Sequence, residues 1–398
     1  MAHTYLYNVK VGGVLALMCG MPLSSCHNDS PVPKNENTKT TVILYAVASN
    51  NLYGNLIEDK NEILEAASEM NLSGLRMLVY QVTPNSNPEL LELKKHHDGS
   101  VTFEMIKGYD KILYSTDPDR ISGVINDVMT MYTSDLYGLI LWSHGTGLDP
   151  FTSTRSEEGV SRPILHSFGS DKDADKDSSY SDQINIDELA DAIPDNFFNF
   201  IWFDACYMSG IETIYELRNK CKYFIGYPTE VFTPGMPYNL TLPYFLAEKP
   251  DLIGGANTFF NYYDNYSSSS MRVATICVVD MDKLEGIADI CRDAYANSTL
   301  PSKVDLLRYT RGSIGPFYDF GQYTKLRAAN SETESLVEEF EKKLNEMVLY
   351  SAATNVDFNY NVIDLNKFSG ISCHYFVDDN SRKAEFYKTL DWYKRVYK

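Results

Sequence analysis

A histidine and a cysteine, residue types that together can perform nucleophilic chemistry, follow two apolar segments of this 398-residue chain. His144 comes after the apolar run at 136–142, and Cys206 comes after the run at 197–203. An imidazole beside a thiol can remove its proton, and the resulting thiolate is a nucleophile. The pair therefore indicates nucleophilic catalysis, although histidines in turns and buried cysteines are also common structural residues.

Both apolar runs have the composition of strands that are buried on two faces, as in a parallel sheet covered by helices. Segments with helical spacing of apolar residues alternate with them, and this alternation predicts an α/β fold. Sites in such sheets form at the carboxyl ends of strands, and neighbouring strands lie about 5 Å apart. We therefore expect His144 and Cys206 to face each other across a cleft, with a helix over 211–221 beginning near the sulfur.

The regular alternation of strands and helices weakens after about residue 250. Helices are predicted over 283–297, 332–350 and 384–397, and strands over 271–279 and 370–377. We divide the chain into a catalytic domain at 41–250 and a smaller C-terminal α+β subdomain at 251–398 packed on it. The polar segment 145–183 is predicted to be a functional loop, because loops of such length are usually functional or disordered.

The composition is that of a globular protein, with 44% hydrophobic and 22% charged residues. The chain has 35 basic and 54 acidic residues, which give a formal charge of −19. A nucleic-acid-binding protein normally has a basic face, so nucleic acid is not expected as a partner. An acidic protein attracts cationic partners, including peptides rich in Lys or Arg.

The N-terminus has the outline of a bacterial export signal. An apolar run at 11–23 is too short to span a bilayer, and the sequence Leu-Ser-Ser-Cys at 23–26 resembles a lipobox. This resemblance implies that residues 1–25 are removed as a signal peptide and that Cys26 is lipidated. Residues 26–40 would then form a flexible tether. We expect an exported, membrane-anchored lipoprotein at the outer membrane or cell surface.

Five cysteines follow the proposed tether: Cys206, Cys221, Cys277, Cys291 and Cys373. No CxxC sequence and no cysteine–histidine cluster with the spacing of zinc ligands occurs among them. Their odd number is typical of an exported protein with one reactive thiol. The other four are predicted to be small buried hydrophobic residues.

Motifs around the histidine and the cysteine resemble those of the clostripain family of cysteine peptidases, which belongs with the caspases, gingipains and legumains. They read Trp-Ser-His-Gly at 142–145 and Phe-Asp-Ala-Cys-Tyr-Met at 203–208. The similarity extends to segments at 45–52, 186–189 and 370–376. The resemblance implies a caspase-like sheet of mostly parallel strands flanked by helices, together with the smaller C-terminal α+β region.

The resemblance also implies a mechanism for an endopeptidase. Cys206 attacks the scissile carbonyl as a thiolate, and His144 protonates the leaving amine and later activates water. The backbone N–H groups of Gly145 and Cys206 form an oxyanion hole, a contribution commonly worth about 3 kcal/mol. Two half-reactions proceed through a thioester. Neither a third catalytic residue nor a cofactor is required.

The acid two residues before the nucleophile implies specificity for a basic residue before the cleaved bond, the P1 residue. Relatives use this acid to bind P1, so Asp204 is expected to bind Arg in preference to Lys in protein or peptide substrates. Glu230 is a candidate second acid, although Tyr227 and Pro228 depart from the Ala-Ser-Glu sequence expected there. The alternative for Asp204 is a cap of a turn or helix.

Self-processing is a further implication, because some family members cut themselves between the histidine and the cysteine. Arg155 and Arg162 are the candidate cleavage sites in the loop at 145–183, and Lys172 and Lys176 are weaker candidates.

The same loop contains an acidic run that partly fits a calcium-binding template. The matching residues are Asp171, Asp173, Asp175, Asp177, Ser179 and Asp182. Position 6 of the template is Lys176 rather than Gly, and position 12 is Asp rather than Glu. A solvated acidic loop is therefore favoured. Calcium is kept as a candidate ligand because some relatives require it.

Two other functions are compatible with the motifs. One is a catalytically inactive surface lipoprotein that binds peptides or proteins, which the presence of both His144 and Cys206 disfavours. The other is a peptidase of the same clan with a non-basic P1 preference. Fluorogenic peptides ending in Arg, Lys or Asp distinguish these functions from the first.

Overall fold

The computed structural model describes residues 38–148, 167–171, 182–296, 298, 305–311, 314–331, 335–374 and 382–398. The strands in these ranges are β1 (Thr38–Val47), β2 (Leu75–Val82), β3 (Glu89–Lys95), β4 (Val101–Gly108), β5 (Ser134–Trp142), β6 (Phe168–Asp171), β7 (Asp182–Ile184), β8 (Phe198–Asp204), β9 (Cys221–Gly226), β10 (Thr275–Asp280), β11 (Arg308–Arg311), β12 (Ile314–Asp319), β13 (Val348–Ala353) and β14 (Ser372–Cys373).

The α-helices in the same ranges are α1 (Tyr53–Glu69), α2 (Pro118–Met131), α3 (Ile186–Ala192), α4 (Ile211–Glu216), α5 (Tyr238–Phe245), α6 (Leu252–Asp264), α7 (Leu284–Ala296), α8 (Phe320–Ala329), α9 (Leu336–Met347), α10 (Arg382–Tyr387) and α11 (Asp391–Tyr397). Among the described residues, no helix has both the length and the apolar character needed to cross a lipid bilayer.

In the part of the chain that the structure describes, the central element is a nine-stranded sheet in the order β13-β10-β9-β8-β5-β1-β2-β3-β4. The five strands from β9 to β2 are parallel, and the two at each edge are antiparallel to their neighbours. The predicted α/β fold with a mostly parallel core is therefore confirmed.

Both faces of the sheet are covered, which explains why its central strands are continuously apolar. Alternate residues of β1 belong to different cores: Ile43 and Tyr45 pack in the core that includes α2 and α4. Val42 and Leu44 pack in the opposite core with α1, α5 and α6. In β5 a glycine is required where the sheet is most crowded, because a Cβ on Gly138 would lie 2.2 Å from the ring of Phe200.

The helix predicted over 211–221 is shorter than expected. It ends at Glu216, and Cys221 begins β9, which pairs with β8 on one side and β10 on the other. The helix predicted over 332–350 likewise ends at Met347, and the chain continues as β13 against β10. In both segments, pairing within the sheet overrides a pattern that also fits a helix.

Elements near the C-terminus also differ from the expectation. The helix predicted over 384–397 is divided into α10 and α11 because Leu390 is buried with an extended backbone. The strand predicted over 370–377 is described only as the two residues of β14. β10 and β13 extend the central sheet, so this sheet is shared across the proposed boundary at residue 250.

The strands β3, β6 and β7 were absent from the expectation. Strand β3, which lies between β2 and the edge strand β4, has a polar sequence, but its Glu92 is buried in an ion pair with Arg76 (3.0 Å) and accepts a hydrogen bond from Tyr132 (2.9 Å). These partners allow an acidic side chain to face inward. The polar segment 145–183 contains the antiparallel strands β6 and β7, which form a small sheet of their own.

Candidate active site

The carboxyl ends of β5 and β8 bring His144 and Cys206 to one cavity. The parallel register pairs Trp142 with Asp204, so the two candidate residues each follow two positions later. The backbones beyond the strands are also in contact, since a Cβ on Gly145 would lie 2.4 Å from the carbonyl oxygen of Cys206. Both His144 and Cys206 line a cavity of about 230 Å³.

The sulfur of Cys206 is partly exposed and lies against the backbone of Val231. The Val231 N–H donates to Sγ at 3.4 Å, and Sγ lies 3.8 Å from the Val231 carbonyl oxygen. The other cysteines in the described ranges are buried, and burial raises the pKa of Cys277 and of Cys291 to about 12. Burial thus opposes thiolate formation at these cysteines, whereas Cys206 is the partly exposed one.

A backbone turn, rather than a helix N-terminus, directs Cys206 into the cavity. Tyr207 has a φ of +61°, a conformation that L residues adopt rarely. Its N–H donates to the Thr229 carbonyl at 3.0 Å, and its ring packs 5.5 Å from that of Phe317. The helix predicted after the cysteine begins at Ile211, as expected, five residues beyond Cys206.

Contacts with the end of β1 and with the turn that follows it hold His144 in place. The Ser143 hydroxyl donates to the Val47 carbonyl at 2.8 Å, which fixes the residue before the histidine. The Nε2 atom of His144 lies 2.9 Å from Oδ1 of Asn51. Sequence reasoning gave Asn51 no role, although the Asn-Asn-Leu sequence at 50–52 was part of the family similarity.

The N–H of Gly145 is directed away from β6. Gly145 forms an antiparallel bridge with Phe168, in which Thr146 N–H donates to Ser167 and Gly169 N–H donates to His144. Successive N–H groups of an extended chain point to opposite sides. The Gly145 N–H therefore points away from β6 and is not used in this bridge.

Asp204 is an almost fully buried acid in the wall of the same cavity. Its Oδ2 accepts hydrogen bonds from the Tyr238 hydroxyl (3.1 Å) and the Met236 N–H (3.4 Å). Gly235 leaves space beside it, because a Cβ there would lie 3.5 Å from Oδ2. Burial raises the pKa of Asp204 to about 6. Its contacts are therefore with the cavity wall rather than with the N-terminus of α4.

Further acids surround this pocket. Glu230 is buried and lines the cavity. Asp59, which sequence reasoning missed, accepts a hydrogen bond from the Trp142 indole at 2.8 Å. Burial, together with the charge of Asp204, raises the pKa of Asp59 to about 9, so Asp59 is neutral at pH 7. Tyr227 is one of the two residues that differ from the expected Ala-Ser-Glu sequence. It is buried, and its hydroxyl oxygen accepts a hydrogen bond from the Trp202 indole N–H at 3.0 Å.

The rim of the cavity combines residues from distant parts of the chain. Leu52 and Asn55 come from the start of α1, and Phe232 follows Val231. Phe358 comes from the segment after β13, and its ring centroid lies 4.7 Å from that of Phe232. The C-terminal region thus contributes directly to the cleft.

Several predicted residues lie outside the described residues: Cys26, Arg155, Arg162, Lys172, Asp173, Asp175, Lys176, Asp177 and Ser179. Asp171 is described, and it is buried with its Oδ2 accepting the Ser115 N–H at 2.7 Å. This contact joins β6 to the backbone at Ser115. Within the described ranges, no group of three His, Cys, Asp or Glu residues could hold a metal ion.

A thiol and an imidazole that line one cavity at the carboxyl edge of a mostly parallel sheet are typical of a cysteine peptidase of caspase-like fold. The sequence profile of the clostripain family, peptidase family C11, matches residues 44–397, and the chain belongs to this family. It is a cysteine endopeptidase rather than a non-catalytic binding protein.

Individual relatives agree with this assignment. Clostripain of Hathewaya histolytica is 23% identical in an alignment that covers 80% of this chain and 72% of clostripain. An inactive zymogen C11 protease from Parabacteroides distasonis has a TM-score of 0.74 at 27% identity, over 91% of this chain and 99% of that one. A secreted C11 cysteine protease from Bacteroides thetaiotaomicron, in complex with an irreversible peptide inhibitor, has a TM-score of 0.75 at 25% identity, over 90% and 99%.

The close approach of Gly145 to Cys206 predicts that a side chain at position 145 lowers activity. Gly145→Ala places a methyl group 2.4 Å from the Cys206 carbonyl oxygen, so the two backbones must separate. We expect kcat/KM for peptide hydrolysis to fall by about 10²-fold or more, as when one oxyanion donor is removed. Gly286→Ala in α7 is the control, because its new Cβ would lie 3.7 Å from a flexible lysine side chain. Equal activity of the two variants would contradict the role of this contact.

Proposed function

We propose that this endopeptidase cleaves peptide bonds after arginine and, less efficiently, after lysine. The observation that carries the proposal is the buried carboxylate of Asp204 in the wall of the cavity that also contains His144 and Cys206. A buried carboxylate in a pocket is stabilised by a cation, and a guanidinium can form two parallel hydrogen bonds to it where an ammonium cannot. Glu230 adds a second acid to the same wall.

The proposed reaction has two half-reactions. The thiol proton of Cys206 moves to His144, and the sulfur attacks the scissile carbonyl carbon. The resulting oxyanion accepts hydrogen bonds from the N–H groups of Gly145 and Cys206, and His144 then protonates the leaving amine. A water that gives its proton to His144 hydrolyses the thioester and regenerates the thiol. No step of this scheme uses calcium or another cofactor.

The P1 preference is tested with three fluorogenic peptides that differ only in Arg, Lys or Asp at P1. We expect kcat/KM to follow the order Arg, Lys, Asp. Asp204→Asn should lower the value for Arg by about 10²-fold or more, because removing one partner of a buried ion pair costs about 3–5 kcal/mol. The rate of Cys206 alkylation by iodoacetamide serves as the control for an intact nucleophile. Preferential turnover of the Asp peptide would replace this proposal with the non-basic specificity.

The pH dependence of cation binding provides a second test. The pKa of Asp204 is raised by burial to about 6, so its carboxyl group is neutral below that pH and cannot pair with a guanidinium. We expect butylguanidine to bind the Cys206→Ala variant more tightly as pH rises from about 5 to 7, by up to tenfold per pH unit. Calorimetry measures the dissociation constant. Binding that is equally pH-dependent after the additional change Asp204→Asn would assign the titration to another group.

The mature form of the enzyme is also part of the proposal. We propose that residues 1–25 are removed, that Cys26 carries a lipid anchoring the protein to the membrane, and that the chain is cut after Arg155 or Arg162 by its own activity. The sequence at 23–26 supports the first two steps, and the secreted relative is consistent with export. The position of both arginines between His144 and Cys206 supports the third.

Mass spectrometry of the protein purified from bacterial membranes tests these steps together. We expect a lipid-modified N-terminal peptide at Cys26 and two chains joined non-covalently, with the new C-terminus at one of the two arginines. Cys206→Ala should remain a single chain but keep the lipid, whereas Cys26→Ser should lose the lipid and leave the membrane fraction. A cut that persists in Cys206→Ala would contradict self-processing.

A further inference from the structure

The side chain of Asn51 contacts the imidazole of His144 from the turn between β1 and α1. The two atoms in contact are Oδ1 of Asn51 and Nε2 of His144, at 2.9 Å. An amide oxygen can only accept a hydrogen bond, so Nε2 carries the hydrogen in this contact. In a neutral imidazole the other nitrogen, Nδ1, is then the acceptor.

The turn that carries Asn51 is fixed by its neighbour. Asn50 donates through Nδ2 to the carbonyl oxygens of Val47 (2.9 Å) and Ser170 (2.7 Å), and its Oδ1 accepts the Leu52 N–H at 2.8 Å. Ser143, the residue before His144, also donates to the Val47 carbonyl. Hydrogen bonds to the carboxyl end of β1 therefore fix the backbone beside both His144 and Asn51. The contact between these two residues does not depend on long flexible side chains.

We infer that Asn51 is a positioning residue for catalysis, which holds His144 in the tautomer with hydrogen on Nε2 and leaves Nδ1 to receive the thiol proton of Cys206. The inference rests on the proposed pairing of Cys206 with His144. When Cys206 gives up its proton, the imidazolium keeps its Nε2–H donated to Asn51. The ring orientation is thus the same before and after the proton transfer, as a group that acts first as base and then as acid requires.

An amide suits this position better than a carboxylate would. A neutral acceptor orients the ring but adds no charge, so it stabilises the imidazolium less than an Asp would. The cavity already contains Asp204 and Glu230 as acids, besides the titrating thiol of Cys206. A further carboxylate at position 51 would raise the pKa of His144 and hold its proton more tightly during transfer to the leaving amine.

The test uses two substitutions that should shift the histidine in opposite directions. Asn51→Ala removes the acceptor and should lower kcat/KM by about 10- to 10²-fold, as a lost orienting contact does. It should also move the acid limb of the pH profile, where the imidazolium loses its proton and becomes able to act as a base, to lower pH. Asn51→Asp should move the same limb to higher pH by about one unit, since a nearby carboxylate favours the imidazolium.

The control is Asn71→Ala, because Asn71 makes a comparable local contact with the Ser73 N–H just beyond the opposite end of α1. It should leave both limbs of the pH profile unchanged. Circular dichroism and the thermal midpoint of each variant establish that it is folded. A purely structural role of Asn51 would change activity without moving the acid limb, or would move it in the same direction in both variants, and either result would overturn the inference.

A second readout separates this inference from the proposed specificity. The pH dependence of Cys206 alkylation by iodoacetamide, followed by mass spectrometry of the Cys206 peptide, reports the thiol and imidazole without any substrate. Opposite shifts in the two variants would support the role of Asn51 even if no peptide with basic P1 were cleaved. A thiol that titrates identically in wild type, Asn51→Ala and Asn51→Asp, near the ordinary value of about 8.5, would overturn it.

Discussion

The parallel hydrogen bonding of β5 to β8 is the constraint on which the site depends. Its register sets Trp142 opposite Asp204, so the residues that follow both strands emerge at the same level. A slip of one residue would turn every side chain of a strand to the opposite face. Because each strand is buried on both sides, such a slip is strongly disfavoured, and the large apolar sheet thereby fixes the positions of His144 and Cys206.

Polar groups at this edge are buried and are held by contacts with other parts of the chain. Burial raises the pKa of Asp204. The hydrogen bonds that its carboxylate accepts from the Tyr238 hydroxyl and the Met236 N–H lower this pKa, but only in part. A cationic side chain in the cavity would supply the missing charge. Asp59 avoids the same cost by remaining protonated behind Trp142. Of the neighbouring pair Asp204 and Asp59, one acid is thus prepared to ionise and the other stays neutral, which limits the repulsion between them.

The parts of this arrangement that were predictable from the sequence are those set by local composition. The uninterrupted apolar runs before His144 and Cys206 indicated buried strands, and the acid two residues before the cysteine could be located by motif. The roles of Asn51 and Asp59 were not predictable, since their contacts join residues 93 and 83 positions apart. β13 was not predicted for a related reason. Its residues continue the spacing of apolar residues expected in a helix, and only their pairing with β10 places them in a strand.

The most direct measurement of the central claim is a crystal structure of the protein after reaction with a peptidyl-arginine acyloxymethyl ketone. We expect a thioether to Sγ of Cys206, with the inhibitor's carbonyl oxygen between the N–H groups of Gly145 and Cys206, His144 beside the sulfur and the guanidinium against Asp204. Attachment at another residue, or a guanidinium directed away from Asp204 into solvent, would contradict it.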